Sequence, residues 1–218
     1  MKGRWLILLV GLLLALTWIP GVAQDPDART LLQASLKAMG GENLRSIQYS
    51  GNEGYVAAVG QNYNPAMDWP APRITTYTRT IDYEARSSRE EYGLTTKGAG
   101  EGGPIGGGNA PAITTPIVGV QQRNWLVREN FAWNVDGTNV APQPALGEQR
   151  QLEIWLTPHG CLKAALAPGA NPIAIERNEQ GKGRIRAVSF VALGKYRVQC
   201  AINDKNLVER VQTFLPNP

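Results

Sequence analysis

The stretch from Ile74 to Tyr83 alternates in the character of its side chains, and this period of two constrains the fold more than any other feature. Tyr77, Arg79, Ile81 and Tyr83 fall on one side, and threonines fall on the other. Side chains of a β-strand point alternately to opposite faces of the sheet. The stretch therefore predicts a strand with one face toward a core and a more polar face toward solvent.

Similar short runs of β-branched and aromatic residues recur along the chain, separated by Gly, Asn and Asp. The further predicted strands are Ile47–Gly51, Tyr55–Val59, Asn124–Arg128, Phe131–Val135, Ile173–Arg177, Arg184–Leu193, Tyr196–Ile202 and Leu207–Phe214. The core candidates of the late strands are Ile185, Val188, Phe190, Val191 and Leu193. Short strands joined by tight turns, such as Asp136 with Gly137, predict an antiparallel meander.

Two segments have helical spacing instead. From Asp27 to Met39, Leu32 and Leu36 repeat at helical intervals, and two glycines follow as a stop signal. A second helical region runs from about Leu146 to Ala167, and Pro158 should interrupt it because proline cannot donate the helical hydrogen bond. These segments and the strands together predict an α+β fold.

The amino terminus has the pattern of a secretory signal peptide. Lys2 and Arg4 precede an apolar run from Trp5 to Trp18, and small residues lead up to Ala23. The run is short for a membrane span, so cleavage after Ala23 is favoured over a retained anchor. We therefore expect a signal peptide at 1–23 and a single exported domain at 24–218, located in the periplasm or secreted and not integral to the membrane.

The charge of the mature chain excludes some partners. Without Lys2 and Arg4 the chain has 20 Lys and Arg against 18 Asp and Glu, a net charge of +2. No stripe of basic residues is present that could follow a phosphate backbone, so we expect no nucleic-acid partner. A glycine-rich stretch at about 98–111 is predicted as a flexible loop. The stretch contains a G-x-G-x-x-G spacing. A dinucleotide site also needs an apolar strand before these glycines and a helix after them, and the sequence predicts neither.

The residues for common catalytic chemistry are scarce. The chain has a single histidine, His159, which excludes zinc sites that need several histidines. A site of His159, Cys161 and Cys200 matches no standard metal spacing, so His159, near a predicted helix start, is expected to be an exposed imidazole without a role. No serine-nucleophile elbow is present. The carboxylate pairs Asp82 with Glu84 and Glu90 with Glu91 are typical of solvated strand charges. We therefore expect no enzyme activity, no metal and no cofactor.

The two cysteines leave two alternatives open. An exported chain could join Cys161 and Cys200 in a disulfide, whereas two separate buried thiols would serve as ordinary core residues. Only the distance between them decides, and the sequence does not contain it.

Many aromatic and aliphatic residues occupy predicted sheet and helix positions. The candidate ligand-binding residues are Tyr77, Ile81, Trp125, Val127, Trp133, Trp155 and Phe190, with Trp69 as a further aromatic residue of the same kind. They either line a site for an acyl chain or another apolar ligand, or they fill the core of an α+β domain. Pattern alone does not separate a hollow core from a filled one.

Short motifs near the two ends of the chain form a recognisable set: Thr30-Leu31-Leu32, Ala38-Met39-Gly40-Gly41, Leu44, Ile47-Gln48-Tyr49-Ser50-Gly51, the Asp204-Lys205-Asn206 turn and Leu207-Val208-Glu209-Arg210-Val211. With these motifs, both ends of the chain resemble exported bacterial domains of the lipoprotein-carrier type, the LolA and LolB group. It implies a strongly curved antiparallel sheet, an open half-barrel, with the amino-terminal helix and the second helical segment packed on its concave side. In the carriers this hollow holds lipoprotein acyl chains.

The same opening also resembles the amino-terminal extension of exported hydrolases of the metallo-β-lactamase fold. The chain carries none of that family's histidine cluster, so the domain either stands alone or is the first part of a longer protein. Two functions are therefore expected. The first is a non-catalytic binding domain for a lipid, a lipoprotein acyl chain or another apolar ligand. The alternative is an accessory interaction domain for a protein partner or for a hydrolase domain absent from this chain.

Overall fold

The computed structural model describes residues 26–55, 73–95, 119–179 and 183–214. The predicted signal peptide at 1–23, the predicted glycine-rich loop at about 98–111, Trp69 and most of the predicted strand Tyr55–Val59 lie outside these residues. Within the described part, the fold is mixed α/β with two antiparallel sheets. The described residues belong to two compact units, 39–161, called here the meander unit, and 26–38 with 162–214, called here the terminal unit.

The meander unit contains a seven-stranded antiparallel sheet. Its strands are β1 (Ser46–Gly51), β2 (Gly54–Tyr55), β3 (Arg73–Asp82), β4 (Ser87–Thr95), β5 (Gln121–Arg128), β6 (Phe131–Asp136) and β7 (Asn139–Pro142). The spatial order is β1-β3-β4-β5-β6-β7, and β2 also pairs with β3. The alternation predicted for β3 is confirmed, because Ile81 and Tyr83 are buried whereas Thr76 is exposed.

A short 3-10 helix (Pro144–Leu146) leads into two helices, α2 (Gly147–Trp155) and α3 (Pro158–Leu166). The interruption predicted at Pro158 is confirmed. Thr157 shapes the corner between the helices, since its hydroxyl donates to the Ile154 carbonyl at 2.8 Å and accepts from the Gly160 amide at 3.2 Å. The corner therefore replaces helical hydrogen bonds with bonds to one side chain.

The helix α2 packs on one face of the meander sheet, where it contacts β4, β5 and β6. Beneath it lies a cluster of buried apolar side chains, namely Ile81, Tyr83, Val127, Ala132 and Ile154. Leu44, Ile47, Leu146 and Trp155 pack against this cluster. A buried apolar face is what holds a helix on a sheet, because each such side chain contributes about 1.5–3 kcal/mol on leaving water.

The terminal unit combines α1 (Pro26–Ala38) with a four-stranded antiparallel sheet. Its strands are β8 (Ile173–Glu179), β9 (Gly183–Ala192), β10 (Tyr196–Ile202) and β11 (Val208–Thr213), in the spatial order β11-β10-β9-β8. α1 contacts β8, and its buried residues Ala28, Leu32 and Ser35 follow helical spacing. The helix predicted from Asp27 to Met39 is thus confirmed within a residue at each end, and Gly40 adopts the positive φ of 66° expected after a helix.

The core prediction for β9 was partly wrong. Val188 and Phe190 are buried, but Val191 is 45% exposed and Leu193 is 43% exposed. Neighbouring residues of a strand point to opposite faces, so Phe190 and Val191 cannot share one core face. Their register confirms this, since Phe190 is opposite Val198, which is buried, and Val191 is opposite Arg197, which is exposed.

Candidate ligand-binding site

The face of the meander sheet that carries α2 is only partly covered by that helix. Beyond the buried cluster, the side chains of Tyr49, Tyr77, Tyr92 and Trp125 lie on this face. The strand register requires this, because Tyr77 is opposite Tyr92, and Glu90 is opposite both Arg79 and Trp125. We call these four side chains the aromatic band. Tyr92 is buried, Tyr77 and Trp125 are half-buried, and Tyr49 is exposed.

The rings of the aromatic band contact one another in pairs. The centroids of Tyr49 and Tyr77 are 6.1 Å apart with the rings tilted by 35°, and those of Tyr92 and Trp125 are 4.9 Å apart in an edge-to-face arrangement. Such pairs stabilise their own geometry by about 0.5–1.5 kcal/mol beyond the area that they bury. The band is therefore an ordered surface of ring faces and edges.

A β-bulge in β3 extends the band with aliphatic side chains. The register between β3 and β4 shifts between Ile74 and Thr76, so that Ile74 is opposite Leu94. Thr75 is the extra residue, and its hydroxyl donates to the Gly93 carbonyl at 3.2 Å. Because one residue is inserted, Ile74 lies on the same face as Tyr77, and both pack with Tyr92 and Leu94.

Three charged side chains lie among the aromatic rings: Arg79 on β3, Glu90 on β4 and Glu153 on α2. We call them the polar centre. The hydroxyl of Tyr77 donates to Oε1 of Glu90 at 2.6 Å, and Nε of Arg79 donates to the Ser88 hydroxyl at 3.2 Å. All three charged side chains are half-buried. The site thus combines charge with apolar ring surface.

Burial and these neighbours change the acid-base properties of the site. Burial raises the pKa of Tyr77, and its hydrogen bond to the Glu90 carboxylate raises it further. Burial also raises the pKa of Glu153, against the opposing effects of the Gln149 hydrogen bond and the Arg79 charge. For Arg79, burial lowers the pKa but the Glu90 carboxylate and nearby tyrosines outweigh it, so that the pKa is raised.

Arg150 fastens α2 to the sheet beside the polar centre. Its Nη1 donates to the carbonyls of Leu126 and Trp133 at 3.1 and 3.0 Å, and its Nη2 donates to Oδ1 of Asn134 at 2.6 Å. The guanidinium also lies 5.4 Å from the ring centroid of Trp125. Both terminal nitrogens of Arg150 are therefore committed to the fold. Burial lowers its pKa.

The residues predicted as a ligand lining are divided by the structure. Tyr77 and Trp125 belong to the aromatic band, whereas Ile81 and Val127 are buried under α2 and fill the core. Trp155 lies on α2 and packs against that core, with its ring centroid 6.2 Å from that of Tyr83. The ligand-binding role itself stays a prediction for these residues.

Two members of the predicted lining lie elsewhere. Trp133 is opposite Leu126 and Pro142, so it is on the other face of the meander sheet from Trp125. Phe190 is buried in the terminal unit, on the core face of its sheet. The sequence grouped these residues by type, but the position of a residue in its strand decides which face it reaches.

The other candidate groups are engaged in the fold. His159 is half-buried, and its Nε2 lies 3.0 Å from the Met39 carbonyl, which corrects the expectation of an exposed imidazole without a role. Cys161 and Cys200 are both disulfide-bonded, so neither is a thiolate that could bind zinc. Within the four described stretches, no three His, Cys, Asp or Glu side chains are grouped as a metal site.

The predicted carboxylate pairs also have different surroundings. Glu90 and Glu91 face opposite ways, and only Glu91 is typical of a solvated charge, in an ion pair with Arg89 at 2.7 Å. Glu90 belongs to the polar centre. Asp82 accepts hydrogen bonds from the amides of Glu84 and Ala85, both at 2.9 Å, and so shapes the turn after β3.

The sequence did not predict the polar centre. The alternation of β3 predicts Arg79 on the same side of its strand as Tyr77, but the sequence pattern does not predict β4 and so pairs Glu90 with neither residue. Glu153 is part of a predicted helix, and the helical pattern does not indicate that its side chain lies near Arg79. The one available signal was the run Ser87–Thr95, in which Ser88, Glu90, Tyr92 and Leu94 alternate with Arg89, Glu91 and Gly93.

Comparisons with known proteins add no family assignment. No protein-family model matches the chain, and no curated protein matches it. Among the described helices, none combines the length and the apolar character that crossing a bilayer requires.

Proposed function

We propose that this protein is an exported, non-catalytic binding domain that holds a lipid or another ligand with an apolar body on the aromatic band. The observation that carries the proposal is the set of four rings on one sheet face, of which Tyr49, Tyr77 and Trp125 are accessible in part. Apolar surface that remains open beside a packed core is typical of a binding surface. Ile74 and Leu94 extend this apolar area.

The finer shape expected of a lipoprotein carrier is part of this proposal. In it, the meander sheet curves strongly as an open half-barrel, and α2 lies on its concave side. The antiparallel meander and the packing of α2 on the face of the aromatic band support this arrangement. The signal peptide proposed at 1–23 would place the domain in the periplasm or outside the cell.

The proposal of binding without catalysis is supported by the engagement of the reactive side chains. His159 is hydrogen-bonded to a main-chain carbonyl, and the cysteines are disulfide-bonded. The phenol of Tyr77 has a raised pKa, because it is buried and donates to Glu90, and this disfavours the phenolate form. The disulfide and the protonated phenol are the less reactive forms of these groups, and one ring nitrogen of His159 is engaged by the main chain.

Mass spectrometry of an organic extract tests the proposal. The protein is purified from its exported compartment without detergent, and its extract is compared with that of a similarly handled control protein. We expect a lipid in near-stoichiometric amount, and we expect Trp125→Leu to reduce it. Trp133→Leu is the matched control, because Trp133 is half-buried on the adjacent strand but lies on the opposite face. A clean extract, repeated after lipids are offered in vitro, would contradict the proposal.

A second function, an accessory domain for a protein partner, is favoured by a different observation. Phe131 is 72% exposed at the start of β6, and Val140 is 59% exposed on β7, which is at the edge of the meander sheet. Val140 lies on the edge strand, where an exposed apolar residue is suited to contact with another chain, whereas Phe131 lies on the interior strand β6. Photo-crosslinking from position 140 in the exported compartment tests this function, and a specific adduct to a hydrolase is the expected result.

A further inference from the structure

The guanidinium of Arg79 has hydrogen-bonding capacity that the fold does not use. An arginine side chain has five N–H donors. Within the described residues, Arg79 makes one side-chain hydrogen bond, from Nε to Ser88, and its two terminal nitrogens have no partner. The charges of Glu90 and Glu153 act on Arg79, yet neither carboxylate forms an ion pair with it. These nitrogens are not buried away from water, and they are therefore available to donate to a ligand.

The two carboxylates have unused capacity as well. Glu90 accepts from Tyr77 through Oε1, and Glu153 accepts from Gln149 through Oε1 at 3.1 Å. In the described part of the chain, the second oxygen of each carboxylate has no hydrogen-bond donor. The polar centre therefore offers both donors and acceptors to a ligand.

Space for a ligand is present beside these groups. Gly51 is opposite Tyr77 in the register of β1 and β3, and no described atom lies within 4 Å of the position that a Cβ at Gly51 would take. The neighbouring ring of Tyr49, which is opposite Arg79, is 38% exposed. Among the described residues, one side of the Tyr49–Tyr77 pair is therefore uncovered next to the polar centre.

The balance of charge determines which ligand fits. The site contains two guanidinium groups, Arg79 and Arg150, and two carboxylates, but the terminal nitrogens of Arg150 are committed to the fold. An anionic phosphate would be attracted by one guanidinium but repelled by two carboxylates. An ammonium group would be repelled by Arg79. A hydroxyl group both donates and accepts, and it brings no charge.

We infer that the polar centre binds the hydroxyl groups of a neutral sugar ring, with the apolar face of the ring against Tyr49 and Tyr77. Neighbouring hydroxyls accept from the terminal nitrogens of Arg79 and donate to Glu90 and Glu153, all as hydrogen bonds to charged partners. The inference rests on the proposed function and specifies it, since the lipid then carries a glycosyl headgroup. A free saccharide is the other source of the same chemistry.

Calorimetric titration with three probes tests the inference. The purified protein is titrated with octyl glucoside, with octylphosphocholine and with methyl glucoside, each below any micelle-forming concentration. We expect octyl glucoside to bind at least about tenfold more tightly than octylphosphocholine. Glu90→Gln and Arg79→Gln should each weaken glucoside binding about tenfold or more, because each removes a hydrogen bond to a charged group.

Matched controls come from the other face of the same strand. Glu91→Gln and Arg89→Gln alter an exposed ion pair next to the site residues, and they should leave glucoside binding unchanged. Gly51→Leu is a further variant that leaves the polar centre intact. It should fill the open space beside Tyr77 and abolish binding, whether or not Arg79→Gln folds.

The outcomes separate the inference from the proposed function. Equal affinity for both octyl probes, with no effect of Glu90→Gln, would overturn the sugar inference while apolar ligand binding stands. Failure of both octyl probes and of methyl glucoside would overturn both. Methyl glucoside binding as tightly as octyl glucoside would support the sugar inference and identify a free saccharide, which would contradict an apolar-bodied ligand.

Discussion

Glu153 shows how a single residue couples the candidate site to the stability of the fold. It lies on α2, whose neighbouring residues Leu152 and Ile154 are buried, and its side chain is half-buried near Arg79. Burial disfavours the ionised carboxylate, and the nearby positive charges compensate only in part, since the pKa remains raised. The fold therefore carries a charge at neutral pH that is more costly than in the unfolded chain.

This imbalance predicts a pH-dependent effect of Glu153→Gln. A carboxyl group with a raised folded pKa contributes stability that is present below its ordinary pKa of about 4.3, and this stability is lost as pH rises through the folded pKa. The variant should therefore have a higher Tm than the natural chain at about pH 7 and a similar Tm at about pH 4. Thermal unfolding followed by circular dichroism at both pH values measures the difference.

A matched variant controls for the loss of one negative charge. Glu148 is exposed on the same helix, so Glu148→Gln changes the net charge equally without removing a half-buried carboxylate. A gain in Tm for Glu153→Gln that is equal at both pH values, or equal to that of Glu148→Gln, would contradict the burial argument.

At the scale of elements, the period of two predicted most strands of both sheets and the period of 3.6 predicted the helices. The exceptions have local causes. β4 was missed because its inward positions include Ser88 and Glu90, which do not have the apolar character of a core face. Ile74 lies on the same sheet face as Tyr77 because of the bulge at Thr75, and the alternation of residue types in the sequence does not predict a bulge. The two sheets also separate strands that the sequence treated as one series.

The candidate site was less predictable than the elements for the same reason. Tyr77 and Trp125 could be selected by residue type, but Arg79 and Glu90 come together only through the pairing of β3 with β4. Glu153 joins them through the packing of a helix that is distant in sequence. Pairing and packing are long-range contacts, and a local pattern does not specify them.

The close packing at the corner between α2 and α3 predicts that a small substitution there lowers the stability of the fold strongly. A Cβ at Gly160 would collide with the Ile154 carbonyl and the Thr157 hydroxyl, and both atoms form the hydrogen bonds of the corner. Thr157 also contacts the Tyr83 hydroxyl at 3.1 Å, so displacement would spread to the core. Gly160→Ala should lower the free energy of unfolding by about 1–3 kcal/mol, measured by urea denaturation.

Gly51→Ala serves as the control for this experiment. It adds the same methyl group at an exposed position where no described atom lies within 4 Å. Its effect should remain within about 0.5 kcal/mol. Equal destabilisation by the two alanine variants would show that the corner has no special packing requirement.

For the whole molecule, the described residues form two compact units, each with its own sheet and its own buried side chains. In the meander unit the core lies between α2 and the sheet, and in the terminal unit buried residues are found on α1, α3, β9 and β10. A small compact unit buries a smaller fraction of its surface on folding than a large domain does. We therefore expect a covalent restraint of the unfolded chain, such as a disulfide bond, to contribute a large part of the free energy of unfolding.

The disulfide-bonded state of Cys161 and Cys200 should provide such a restraint. Both residues are buried, and cysteine substitution or reduction removes a constraint that is typically worth about 2–4 kcal/mol. We expect no free thiol in the native protein by thiol titration, and a lower urea midpoint after reduction. The double variant Cys161→Ser with Cys200→Ser should unfold at a similarly low midpoint and be insensitive to reductant, which separates loss of the bond from other effects of the reagent. A midpoint unchanged by reduction, with both thiols titrating afterwards, would show instead that packing within the two units suffices for their stability.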